Sequence, residues 1–162
     1  MNPLLTQDIE HIEARLYHAL PEHITTAWLH EYFGTLPEGT TIQSSHVAPM
    51  VEPCRGLVHR GGKRWRPLLL VLCAKMVAQK NGTSVDEAYR NALSLVDIVE
   101  LVHTASLIHD DIEDNADTRR GAPATHIAYG LDTALNAGTW LYFIAAGCID
   151  TAAIPDAIKL RL

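Results

Sequence analysis

Residues 85–114 read VDEAYRNALSLVDIVELVHTASLIHDDIED. Leu93, Val96, Val99, Leu107 and Ile108 recur at helical spacing. Ser84 stands just ahead, with Glu87 three positions on, the spacing of a capping box. The stretch predicts one long helix, capped by Thr83 or Ser84, with apolar residues on more than one side. Such a helix must be covered by neighbours, and the neighbours also read as helices.

Ile9, Ile12, Leu16 and Leu20 repeat at helical spacing after Thr6, which reads as an N-cap, and Pro21 stops the pattern. A second helix is predicted over 24–33, closed by Gly34, followed by a loop over 36–41. A third starts at Ser44 or Ser45 and runs to about His59, although Pro49 and Pro53 lie inside it. Gly61-Gly62 ends it. Pro67 opens a strongly apolar helix that runs to Gln79 and stops at Asn81-Gly82. Gly121-Ala122-Pro123 marks a loop, and 133–149 is a further apolar helix. No alternating stretch is long enough for a strand. The expected fold is an all-α helical bundle forming a single domain over 1–162. Pro155 and Asp156 open a helix that has no room for more than about two turns before Leu162, too few to be stable alone. The segment reads either as a frayed tail or, as is expected here, as a helix cut short because the chain belongs to a longer protein.

The 162 residues are 48% hydrophobic and 20% charged, which suits one packed domain and excludes a disordered chain. The net charge of -6 excludes a general nucleic-acid binder, so any anion must be held by a local basic cluster. The apolar stretches 67–74 and 139–149 are too short to span a bilayer, and no secretory signal opens the chain. The expectation is a cytoplasmic protein that does not span a membrane. Cys54, Cys73 and Cys148 form no metal or disulfide spacing; Cys73 and Cys148, within apolar runs, read as buried.

Two charged clusters carry the chemistry. The first is Gly61-Gly62-Lys63-Arg64-Trp65-Arg66-Pro67, three cations beside a glycine pair and ahead of a helix. Glycines let backbone approach a ligand closely, and the helix start favours an anion. Lys63 supplies a point charge and Arg66 a fork for phosphate oxygens. A plain solvated basic loop is the competing reading. The second runs from His109 to Gly121 and holds five carboxylates between Asp110 and Asp117. Asp110 and Asp114 share a helix face at a helix C-terminus, where the dipole disfavours anions. A hard divalent cation resolves this, and oxygen-only ligands suit Mg²⁺. The competing reading is an acidic helix end offset by Arg119 and Arg120. Together the clusters point to a substrate with a diphosphate head and a hydrocarbon tail.

These residues carry a resemblance. Gly62-Lys63-Arg64-x-Arg66-Pro67, Glu100-x-x-His103-x-Ala105-x-Leu107-x-His109-Asp110-Asp111-x-x-Asp114 and Asp117-x-Arg119-Arg120-Gly121-x-Pro123-x-x-His126 resemble the trans-isoprenyl diphosphate synthases, or polyprenyl synthetases. The resemblance spans about 61–138 and implies an isoprenoid-synthase-type helical fold, of which this chain is the N-terminal half. It implies head-to-tail condensation of isopentenyl diphosphate with an allylic diphosphate, Mg²⁺ as cofactor, and a homodimer. It also implies that Asp110 and Asp114 hold Mg²⁺ and are catalytic. Arg119 would contact the allylic diphosphate, and Lys63, Arg66, His103 and Arg120 would bind isopentenyl diphosphate. Ala105 and Ser106 would set product length. Both are small, where short-chain members place an aromatic, so geranylgeranyl diphosphate or a longer product is expected.

Two departures stand out. The family's second aspartate-rich motif has no counterpart after Gly121, where Asp132, Asp150 and Asp156 are isolated. The chain alone is therefore expected to be inactive. Thr139 follows Ala137-Gly138, where many members have aspartate. Rival readings are a catalytically silent partner subunit of a heteromeric synthase and an HD-type metal phosphohydrolase. The intact aspartate pair argues against the first. The basic cluster, unexplained by it, argues against the second.

Overall fold

The computed structural model describes residues 3–34 and 38–161. Within them the chain is all-α. The helices are α1 (Pro3–Ala19), α2 (Thr26–Phe33), α3 (Ser44–His59), α4 (Trp65–Asn81), α5 (Val85–Leu93), α6 (Val96–Glu113), α7 (Thr125–Tyr129), α8 (Leu131–Thr151) and α9 (Asp156–Lys159). Between α6 and α7 lie two short strands, β1 (Thr118–Arg119) and β2 (Ala122–Pro123), paired antiparallel.

The bundle is organised around α6. Its most extensive packing is against α8, which α3 also covers, while α1 and α4 lie against α6 as well. Leu101, Ala105 and Ile108 of α6 meet a core that includes Ala134, Ala137 and Leu141 of α8, and all six are completely buried. Small residues let these two helices approach closely. A Cβ added at Gly138 would sit 2.7 Å from His109 Cε1 and 3.2 Å from Ile108 Cγ2. The apolar faces of Ile12 and Leu16 in α1 and of Val51, Cys54 and Leu57 in α3 complete the core. Truncating a fully buried leucine such as Leu101 to alanine costs about 2–5 kcal/mol in a core of this kind.

Several local expectations are corrected. Thr6 lies inside α1, which already begins at Pro3, so it is not the N-cap. Gln43, not Ser44 or Ser45, precedes the first turn of α3, and its N–H donates to His46 Nδ1 at 3.3 Å. Pro49 and Pro53 are accommodated inside α3 because Val51, Cys54, Leu57 and Val58 are buried along it. α4 starts at Trp65, two residues before Pro67. The long helix predicted from 85 is two helices, broken at Ser94-Leu95. There Ser94 Oγ donates to Asn91 O and accepts from the Ala153 N–H. The expected loop over 121–123 contributes β2, and α7 carried no signal recognised in the sequence. Cys73 is exposed, while Cys54 and Cys148 are buried. The predicted 36–41 loop falls partly outside the described residues.

By length and composition the helical run 85–113 could cross a membrane. It is interrupted at Ser94-Leu95, and Leu101, Thr104, Ala105 and Ile108 within it are wholly buried by neighbouring helices. Apolar side chains stay uncovered along α4 (Trp65, Leu69, Met76) and α8 (Leu135, Phe143), with Phe143 73% exposed.

Candidate functional site

The start of α4 is shaped by three unusual backbone positions. Gly61 and Gly62 have φ of 80° and 154°, and Arg64 is left-handed at φ 47° and ψ 27°. Gly62 is needed for a second reason. A Cβ there would lie 3.2 Å from Arg120 Nη2 and 3.3 Å from its Cζ, so the guanidinium rests against bare backbone. Arg120 itself has φ of 51° and Gly121 of 75°. Two consecutive positive φ values make the tight turn that joins β1 to β2. Arg60 ties this hairpin to α3, donating to the carbonyls of Pro123 at 2.9 Å and Arg119 at 3.4 Å.

The turn and the α4 loop enclose a pocket of about 330 Å³ whose lining includes Lys63, Arg66, His103, Arg119 and Arg120. The five residues expected to contact diphosphates therefore converge. With Arg64 the lining carries five permanent cations, opposed by one carboxylate, Glu100. An anion is the ligand this balance favours. Arg66 Nη1 lies 3.0 Å from His103 Nε2 and stacks its guanidinium 4.6 Å from the Trp65 ring centroid. Burial and then the Arg66 charge hold the His103 pKa below the usual imidazole value. Arg120 donates to Leu57 O at 2.9 Å. Burial, reinforced by Arg64, lowers its pKa from the ordinary arginine value.

Asp110 and Asp114 are outside this lining, exposed at the end of α6, with Asp114 capping it. Among the described residues neither carboxylate makes a side-chain hydrogen bond or ion pair, but both act electrostatically on Arg119. Arg119 is held by Asp111, which lies between them in sequence. Its Nε donates to Asp111 Oδ1 at 2.8 Å and its Nη2 makes a second bond to the same oxygen. That hydrogen bonding raises the Arg119 pKa against the effect of its burial. Asp111 is wholly buried and its Oδ2 is unpartnered. Among the described residues no three metal-ligating side chains converge. Two unpaired oxygen ligands one helical turn apart nevertheless fit Mg²⁺, which typically takes one or two carboxylates and completes its shell with water and phosphate.

Ala105 is completely buried, facing the core, whereas Ser106 is half-buried and donates to His103 O at 2.8 Å. His109 Nδ1 contacts Ala105 O at 2.9 Å, and its Nε2 lies 3.3 Å from Thr139 Oγ1, which donates to Leu135 O. The sequence reading left Arg64 and Glu100 without roles. Both are buried, and they are joined by a 2.6 Å ion pair. Their position in the basic and Glu-x-x-His motifs was the available signal; the pairing across 36 residues was not.

Comparison with known proteins bears on the family and the fold. A geranylgeranyl diphosphate synthase of Methanosarcina mazei is 40% identical over 121 residues, covering 67% of this chain and 35% of that protein. A geranylfarnesyl diphosphate synthase of Aeropyrum pernix is 45% identical over 89 residues, covering 55% of this chain and 26% of its own length. The chain thus spans about a quarter to a third of these curated relatives. The solved geranylgeranyl pyrophosphate synthetase of Pyrococcus horikoshii superposes with a TM-score of 0.68 at 27% identity, over 98% of this chain and 39% of that one. The sequence pattern described as polyprenyl synthetase matches residues 47–161, from the first turn of α3 past α9 and through both charged clusters. With the motifs, the fold and the pattern in agreement over most of its length, the chain belongs to the polyprenyl synthetase family.

Proposed function

We propose that this chain supplies the diphosphate-binding wall of a trans-prenyltransferase, which joins isopentenyl diphosphate head-to-tail to an allylic diphosphate. The observation that carries the reading is the convergence of Lys63, Arg66, His103, Arg119 and Arg120 on one pocket, near the exposed carboxylates of Asp110 and Asp114. Lys63, Arg66, His103 and Arg120 hold the unreacting diphosphate of isopentenyl diphosphate. Arg66 donates through its fork, and neutral His103 retains an N–H to offer. Arg119 serves the allylic diphosphate, and Asp110 and Asp114 hold Mg²⁺. When bound there, Mg²⁺ supplies Lewis-acid stabilisation of the departing diphosphate oxygens. The allylic C–O bond breaks and diphosphate leaves with its electron pair, the alkene of the second substrate forms the new C–C bond, and the resulting cation gives up a proton to the departed diphosphate. Arginines oriented before the reaction favour the charge developing on the leaving group.

The same reading takes the product to be geranylgeranyl diphosphate or longer. Ser106 stands one helical turn below Asp110 on nearly the same face, and it is small. The chain alone binds diphosphates without condensing them. Calorimetry with isopentenyl diphosphate and a label-incorporation assay test both statements. The expected result is binding that Lys63→Ala and Arg66→Ala abolish, with no product. Absence of binding by the wild-type chain sinks the site; product formed by the chain alone sinks only the inactivity.

A further inference from the structure

Lys63, Arg64 and Arg66 form one basic run, but Arg64 differs from the other two. Lys63 is exposed and Arg66 half-buried, whereas the Arg64 side chain has no exposed surface. Every nitrogen of its guanidinium has a protein acceptor. Nε donates to Glu13 Oε1 at 2.7 Å and Nη1 to Glu100 Oε1 at 2.6 Å. Nη2 donates to Val58 O at 2.6 Å and to Glu13 Oε2 at 3.3 Å. Four of its five N–H donors are thus taken by protein acceptors and the side chain has no exposed surface, which leaves it little to offer a ligand.

We infer that Arg64 is a positioning residue, which fixes the loop presenting Lys63 and Arg66 by clamping Glu13 and Glu100 rather than by touching a ligand. The inference rests on the anion reading of the pocket proposed above. Its backbone is the first support. A non-glycine residue in the left-handed region is uncommon and persists only where its surroundings over-determine it. Here the surroundings are three other helices: Glu13 comes from α1, Val58 from α3 and Glu100 from α6, and all meet at the residue preceding α4. The second support is the shared carboxylate. Glu100 Oε1 also lies 3.8 Å from Arg120 Nη2, so the anion that holds Arg64 faces the cation entering from the hairpin. The third is electrostatic. Burial opposes the Arg64 charge, but the bonds from Glu13 and Glu100 outweigh it and raise its pKa. The folded protein thus favours the charged form of Arg64 despite its burial. Glu13 lies outside the matched stretch 47–161, so this contact ties α1 to a pocket built from the matched part of the chain.

Inorganic diphosphate, titrated calorimetrically into the wild-type chain and into Glu13→Gln, Arg64→Lys and Arg64→Met, decides it. Each melting temperature is measured, and titrations run well below the lowest, so that affinity reports folded protein and not stability. Arg64→Met should weaken binding about tenfold, Glu13→Gln by less, and Arg64→Lys should recover part of the loss. Glu13→Gln should add nothing in the Arg64→Met background, because both changes break the same clamp. If Arg64→Met does not fold, Glu13→Gln and Arg64→Lys carry the comparison. Wild-type affinity in Glu13→Gln and Arg64→Lys, or a Glu13→Gln loss that persists in Arg64→Met, overturns the inference while leaving the pocket reading intact. No binding by the wild-type chain overturns both.

Discussion

Arg66 Nη1 and His103 Nε2 lie 3.0 Å apart, and this contact fixes a protonation state. A guanidinium only donates, so Nε2 must accept, and His103 is neutral with its proton on Nδ1. Burial and Arg66 lower its pKa; Arg120 acts the same way, while Glu100 and Asp110 oppose them.

The folded His103 therefore binds a proton less readily than the unfolded one, whose pKa is about 6.5. Stability should be highest above that value and fall as pH drops through it toward the lower folded pKa. His59, also lowered by burial, acts in the same direction. Urea midpoints should be lower near pH 5 than near pH 7.5, and His103→Asn should flatten part of the slope. NMR titration should show the His103 pKa rising in Arg66→Ala. An unchanged value there would contradict the contact.

Gly62→Ala tests the resting place of Arg120. The new Cβ would meet Arg120 Nη2 at 3.2 Å with φ at 154°. A loss of about 1 kcal/mol in unfolding free energy is expected, with weaker diphosphate binding because Arg120 must move. Denaturation and calorimetry check the two effects separately.

Asp110→Asn and Asp114→Asn should each remove most of the Mg²⁺-dependent gain in diphosphate affinity, about tenfold or more, and leave metal-free binding unchanged. Diphosphate affinity that is the same with Mg²⁺ and with chelator would reject the metal site.

The legibility of this site followed sequence distance. Lys63, Arg66, Asp110 and Asp114 lie in contiguous runs whose chemistry can be read locally. Arg64–Glu13 and Arg64–Glu100 join residues 51 and 36 positions apart, and no local pattern announces them. Arg119 was legible as a cation, but not its attachment to Asp111. The all-α class followed from apolar spacing. The break at Ser94-Leu95 did not, because the apolar pattern runs straight through it. Cys73 looked buried for the same reason: a helix that is apolar all round does not show which side is covered.

The cysteines give a direct test. Burial pushes the thiols of Cys54 and Cys148 up to about 12, whereas Cys73 is exposed. A thiol reagent at neutral pH should modify one cysteine rapidly in the native chain and all three in denaturant. Rapid native labelling of Cys54 or Cys148 would show that the α3–α8 core opens.

Ala105 and Ser106 should respond differently to the same substitution. Ala105 has no exposed surface, so Ala105→Phe should cost about 1–3 kcal/mol or more. Ser106→Phe, on a half-buried position, should be better tolerated. In a protein with turnover, it should shorten the product by at least one isoprene unit. Product chromatography together with thermal melts separates the two outcomes.

Arg119 and Arg120 leave the hairpin toward different partners, Asp111 on one side and Leu57 O on the other. Arg119 ends β1, whereas Arg120 is already left-handed in the turn, and that change of backbone conformation sets the divergence. Most surface turns tolerate insertions and deletions; this one should not. A single residue added beside Gly121 would replace the turn that aims Arg120 at Leu57, although every side chain of the motif would still be present. The length of chain between Asp117 and Ala124, whose backbones are themselves joined by a 3.0 Å hydrogen bond, therefore matters as much as the side chains it carries.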